Sequence, residues 1–258
     1  MSQDSTAKVL GAAFLLCLVC AVLVSAAAVG MSDRQERNKV EEKRKNILLA
    51  AGLYDAGRPI EEQFGKIHPR IVDLQTGTFT DAFNAATFDS RAAARAAETR
   101  HPIPAELDLA AIKARSRYMD VYLVMADGRL QQVILPVHGK GLWSTMYGFV
   151  ALADDLNTIN GFSFYEHGET PGLGGEIDNP AWKAQWPGKK IYDESGHLRI
   201  EVLKGTVDQT SANAVYQVDG LAGATLTARG VGNLLRYWLG DDGYRTFLET
   251  LQREGVNQ

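Results

Sequence analysis

The longest apolar run of the chain comes first. No residue between Lys8 and Asp33 is charged, and residues 9–32, as a helix rising ~1.5 Å per residue, would span roughly 36 Å against a hydrocarbon core of ~30 Å. This predicts a transmembrane helix. A cleaved signal peptide is the rival reading, because residues 25–28 are small. The run outlasts an ordinary signal h-region, however, and Lys8 is the sole basic residue before it. Polarity then inverts: residues 33–45 are mostly charged, with both signs mixed, and read as a solvated helical stalk. The stalk runs into Ile47, Leu48, Leu49, Leu53 and Tyr54, whose spacing makes an apolar helical face, before Gly57 and Pro59 stop it.

Further along, strand-type patterns dominate. Residues 118–125 and 130–137 are rich in β-formers and flank Asp127-Gly128, which predicts a hairpin. Residues 147–153, 162–165, 198–203 and 215–218 are further strand candidates, the first of them equally readable as a short buried helix. Helical patterns frame this region. One covers residues 89–99, with Asp89 or Ser90 as cap, and a short one starts at Asn179-Pro180 and ends at Pro187-Gly188. Two more cover residues 227–239 and 243–253, broken by Gly240-Asp241-Asp242-Gly243. The expected fold is α+β: a single N-terminal transmembrane helix, then a domain with a mostly antiparallel sheet and flanking helices.

Charge and composition narrow the chemistry. The 258 residues hold 27 basic and 31 acidic side chains, a net charge of -4, so no global positive field draws nucleic acid. Cys17 and Cys20 are the only cysteines, and both lie in the apolar run, so thiol chemistry is excluded from the rest of the chain. The five histidines, His68, His101, His138, His167 and His197, form no metal-ligand spacing, and no metal site is expected.

Three glycine-rich segments stand out. Gly139-Lys140-Gly141-Leu142-Trp143-Ser144-Thr145-Met146-Tyr147 presents an aromatic ring, hydroxyls and a basic group on a flexible turn suited to a planar ligand. His167-Gly168-Glu169-Thr170-Pro171-Gly172-Leu173-Gly174-Gly175 lets backbone amides approach a ligand, yet has neither the P-loop ending nor the dinucleotide G-x-G-x-x-G order. Asp219-Gly220-Leu221-Ala222-Gly223-Ala224-Thr225-Leu226-Thr227 joins a short strand to the helix of Leu234, Leu235 and Trp238. Thr225 or Thr227 is there either a plain helix cap, or part of an anion seat where the helix dipole would stabilise a phosphate carried on Thr225.

Together these segments resemble a known family. Glu169-Thr170-Pro171-Gly172-Leu173-Gly174 and Asp219-Gly220-x-x-Gly223-Ala224-Thr225 are similar to the motifs of the FMN-binding domain shared by two bacterial respiratory complexes. The stretch 141–148 narrows the resemblance to the C subunit of the sodium-translocating NADH:quinone reductases. The rival is the equivalent FMN-bearing subunit of an Rnf-type electron transport complex. A further alternative is a non-flavinylated, membrane-anchored binding or assembly protein, which Ala222 encourages, since the family usually has serine or threonine at that place.

The resemblance implies an electron carrier, not the NADH or quinone site, in a complex coupling NADH oxidation and quinone reduction to sodium export. It implies FMN held covalently by a phosphoester bond to Thr225, made by a dedicated flavin transferase. Trp143 and Leu173 would line the ring; Ser144, Thr145, Glu169 and Thr170 would offer hydrogen bonds; Gly174 and Leu226 complete the surroundings. Thr227 and amides near Ala224 would hold the phosphate, with Lys204 and Arg229 as weaker candidates, while Asp219, Gly220 and Gly223 belong to the attachment motif. No catalytic acid, base or nucleophile is required. The implied organisation is a cytoplasmic N-terminus at 1–8, the transmembrane helix at 9–32, a stalk at 33–58 and the FMN-binding domain at 59–258. Partners are the membrane, the other subunits of the complex and the transferase. Arg34, Arg37, Lys39, Lys43, Arg44 and Lys45 after the span favour a cytoplasmic domain by charge. The resemblance instead implies a periplasmic domain on the bacterial inner membrane, because the family's transferase acts outside it.

Overall fold

The computed structural model describes residues 6–256, so most of the expected N-terminal segment 1–8 lies outside the described residues. The chain divides into two compact units, Met1–Lys43 and Arg44–Gln258. The described part of the first is helical and belongs to α1 (Thr6–Ala50). Within it, Lys8–Ser32 has a mean hydropathy of 2.8 and no burial against protein, so it is long and apolar enough to cross a membrane once. Cys17 and Cys20 lie exposed on this stretch and form no disulfide.

In the second unit, α1 ends earlier than Gly57 and Pro59 would have it. Gly52 takes a φ of 68°; its amide donates to the Leu49 carbonyl at 3.1 Å and the Leu53 amide to the Leu48 carbonyl at 2.8 Å. This pair of bonds closes the helix by the left-handed glycine motif. The chain continues through α2 (Ile60–Phe64), β1 (Ile67–Asp73), β2 (Thr78–Thr80), α3 (Ser90–Ala93), β3 (Arg100–Pro102) and β4 (Ala114–Ser116). Then come the long strands β5 (Tyr118–Ala126), β6 (Arg129–Lys140), β7 (Thr145–Ala153) and β8 (Ile159–Glu166). The chain finishes with α4 (Pro180–Lys183), β9 (Glu201–Val202), β10 (Gln217–Val218), α5 (Thr225–Trp238) and α6 (Arg245–Glu254).

The main sheet has the order β2-β1-β5-β6-β7-β8, antiparallel throughout. The predicted hairpin is present, and Asp127 and Gly128 both take positive φ, 50° and 72°, as the tight two-residue turn demands. Alternation splits the sheet into two apolar faces. On one, Val133, Leu135, Val137, Val150 and Leu152 pack with Val231, Leu234, Leu235 and Trp238 of α5 and Phe247 of α6. On the other, Ile134, Phe149 and Tyr122 pack with Ile47, Leu48, Ala50 and Ala51 at the end of α1. Each large side chain so buried contributes about 1.5–3 kcal/mol.

Several expected elements differ. The helix over 89–99 shrinks to α3: Asp89 caps it by accepting from the amides of Arg91 and Ala92, but the Thr99 hydroxyl donates to the Ala93 carbonyl at 2.6 Å and turns the chain into β3. Only Glu201 and Val202 of 198–203 form a strand, and 212–216 is a 3-10 turn before β10. β1 is absent from the sequence-based expectation because His68-Pro69-Arg70 interrupts its pattern, yet it pairs with β5 along its whole length.

Candidate functional site

The end of the β6–β7 hairpin and the middle of α5 meet because glycine lets them. Gly139 and Gly230 face one another's elements so closely that a Cβ on the first would lie 2.6 Å from Leu234 Cβ and one on the second 2.5 Å from the Lys140 carbonyl oxygen. This contact sets the loop of Gly141, Leu142, Trp143 and Ser144 beside the first turn of α5.

Glu169 ties the loop to the helix. It is 5% exposed and accepts from the amides of Leu142 at 3.3 Å, Trp143 at 3.0 Å and Ser144 at 3.4 Å. The Thr227 hydroxyl donates to it at 2.5 Å. Burial pushes the Glu169 carboxyl up, but these four bonds outweigh it and hold the group below its usual value of 4.5. A depressed folded-state value means stability that is present above the unfolded value and lost as pH falls through the folded one. Thermal unfolding across pH should therefore separate wild type from Glu169→Gln above pH 4.5, with the gap closing in acid.

The second glycine-rich segment closes around the same carboxylate. The Gly168 amide donates to Ser144 Oγ at 2.6 Å, and the Glu169 amide to His167 Nδ1 at 3.2 Å. That bond leaves the proton on Nε2, which donates to Asp178 at 2.7 Å; Lys183 reaches the other Asp178 oxygen at 2.9 Å. Burial raises the Asp178 carboxyl, and the bonds from His167 and Lys183 bring it below its ordinary value. Thr170 is exposed, and its carbonyl accepts from the amides of Leu173 at 3.1 Å and Gly175 at 2.9 Å. Leu173 lies against the third segment: a Cβ on Gly223 would sit 3.1 Å from its methyl.

In the third segment Asp219 is structural. Its carboxylate accepts from the Val207 amide at 2.7 Å and its carbonyl from Trp182 Nε1 at 2.9 Å. Gly220 passes so close to the Leu203 carbonyl that a side chain would collide. Neither Thr225 nor Thr227 caps α5: the cap is buried Ala224, which makes no side-chain bond, with Thr225 the first helical residue. Thr225 is half-buried, whereas Thr227 is 0% exposed with its hydroxyl committed to Glu169. The Thr227 hydroxyl is therefore engaged within the protein, unlike the phosphate contact expected of it. The amides of Thr225, Leu226 and Thr227 have no carbonyl of their own helix to meet, which makes this end a seat for an anion.

Beside that helix start, Trp143 is 67%, Leu226 52% and Leu173 46% exposed, which leaves an apolar rim open to solvent. Ser144 and half-buried Thr145 adjoin it at the start of β7, Gly174 lies behind Glu169, and Lys204 and Arg229 are exposed. The structure thus brings together Trp143, Ser144, Glu169, Leu173, Gly174 and Thr227, and assigns Asp219 and Gly220 to the turn that precedes α5. Sequence reading missed the part of His167, Asp178 and Lys183; no local spacing signals it.

Residues 141–240 match the FMN-binding domain family, an interval running from the first glycine-rich segment to just past the end of α5. The chain is 50% identical over 256 residues to the C subunit of the Na(+)-translocating NADH-quinone reductase of Pseudomonas aeruginosa, covering 98% of each chain. It is 46% identical over 257 residues to that of Vibrio alginolyticus, covering 99% of each. Among solved structures, NqrC of Shewanella oneidensis superposes with a TM-score of 0.78 at 36% identity, over 84% of this chain and all of that one. The corresponding protein from Parabacteroides distasonis gives 0.66 at 28% identity, over 84% of this chain and 96% of that one. The chain belongs to the NqrC family, the C subunits of the Na+-translocating NADH-quinone reductases.

Proposed function

We propose that the chain is the membrane-anchored flavoprotein subunit of a Na+-translocating NADH:quinone reductase, relaying single electrons through an FMN joined to Thr225 by a phosphoester bond. The observation that carries this is the N-terminus of α5: an uncapped helix start whose first residue is a half-buried threonine, beside an exposed apolar rim. Covalently held FMN supplies a ring that takes up and gives up electrons one at a time. The chain's residues hold it. The amides and dipole of the first turn of α5 would hold the phosphate, with Arg229 and Lys204 as sources of positive charge. Trp143, Leu173 and Leu226 would line the ring, and Ser144, Thr145 and Thr170 would offer hydrogen bonds. The other subunits supply and accept the electrons, and a flavin transferase makes the bond.

The soluble domain lies in the periplasm on this reading, because Thr225 must meet a transferase that acts there. A C-terminal reporter should be active only outside the cytoplasm; activity only inside contradicts the placement. Coexpression with a flavin transferase should give a band that fluoresces after denaturation and electrophoresis. A dark band, with the transferase active on a control, favours the unflavinylated role.

A further inference from the structure

The carboxylate of Glu169, expected to face the flavin, is fully engaged by the protein itself. Its oxygens have about four acceptor positions. One oxygen takes the amides of Trp143 and Ser144, the other the amide of Leu142 and the hydroxyl of Thr227. Three successive amides converging on one anion form a nest. Two glycines make the room: a Cβ on Gly141 would lie 2.5 Å from one carboxylate oxygen, and one on Gly174 would lie 2.7 Å from the other and 2.6 Å from the Thr227 hydroxyl.

We infer that Glu169 is a positioning residue and not a cofactor ligand: it is a built-in anion that fills the amide nest of the Trp143 loop and bolts that loop to α5 through Thr227. This has two consequences for the site. The loop bearing Trp143 is ordered before any flavin arrives, so binding is spared its ordering entropy. Of the two amide-rich anion seats in this corner, the nest is already filled, and only the start of α5 is open to a phosphate. The second consequence rests on the flavin reading above; the first stands without it.

The test uses the full-length chain in detergent, prepared without transferase and so without covalent flavin, and reads amide hydrogen exchange at residues 142–144. Glu169→Ala should speed exchange there by about tenfold or more, as expected for loss of bonds to a charged acceptor. Exchange along α5 beyond its first turn should stay as in wild type. Added acetate should refill the nest and restore protection, while acetamide, of the same shape but neutral, should not. Glu169→Gln, which keeps the volume, should expose the Leu142 amide selectively, because the new NH2 group faces it. Unchanged exchange in both variants overturns the inference, as does equal rescue by acetamide. Normal exchange without flavin together with an altered visible spectrum in transferase-treated Glu169→Gln would make Glu169 a flavin ligand and also overturn it. A failure of covalent attachment at Thr225 leaves the exchange readouts, taken without flavin, untouched, so the two readings fail separately.

Discussion

Replacing Thr225 by alanine should abolish denaturation-resistant flavin while leaving the fold intact. The proposed phosphoester needs a hydroxyl oxygen at this position and alanine has none, so the loss should be complete. The structural cost is small because Thr225 is half-buried, is the first residue of α5, and makes no capping bond. Alanine is also the better helix former, and the change in stability should stay within about 0.5 kcal/mol. Thr225→Ser, which retains the hydroxyl, should keep its flavin. Thr227→Ala should behave in the opposite way. It leaves Thr225 free to be modified, but strips Glu169 of its hydroxyl donor in a site where Thr227 is 0% exposed, at a cost of about 1–3 kcal/mol. In-gel fluorescence and thermal unfolding of the three variants separate attachment from architecture.

The largest loss of stability is expected at Trp238. Its side chain is 0% exposed on the inner face of α5 and lies against Tyr244 at 5.3 Å and His138 at 4.9 Å between ring centroids. Its Nε1 donates to the His138 carbonyl at 2.7 Å, pinning α5 to β6 near the end where the Trp143 loop begins. Trp238→Ala opens a cavity and orphans that carbonyl, for a loss of about 3–5 kcal/mol. A domain with ~5–15 kcal/mol in hand becomes marginal. Because α5 also presents Thr225, the variant should be flavinylated poorly in proportion to its unfolded fraction, which denaturant titration followed by flavin quantitation would show. The neighbouring His138 is held down to about 4 by burial and by the nearby Arg91 guanidinium, so it stays neutral at physiological pH and adds no charge to this core.

Where local pattern and tertiary environment agree, the fold is legible in the residues. The hairpin around Asp127-Gly128, the pair α5 and α6, and the Asn179-Pro180 helix start all announce themselves through turn chemistry, periodicity and capping. β1 does not, since its strand character comes from pairing with β5 rather than from its own His68-Pro69-Arg70 sequence. The end of α1 is hidden because Gly52, the residue whose positive φ closes it, lies inside what reads as a continuing apolar face. The site divides in the same way. Thr225, Trp143 and Leu173 are recognisable from glycine-rich context and family resemblance. The commitment of Glu169 and Thr227 to each other is not, because a glutamate in a glycine loop reads as solvated, and its burial is created by segments 26 and 58 residues away.

The measurement closest to the central claim is peptide mass mapping of the full-length chain purified after coexpression with a flavin transferase. Trypsin releases residues 205–229, which contain both Thr225 and Thr227. The account predicts that this peptide is heavier by one FMN less one water, with fragment ions placing the added mass on Thr225. An unmodified peptide in fully transferase-exposed protein, or added mass on Thr227, would contradict it.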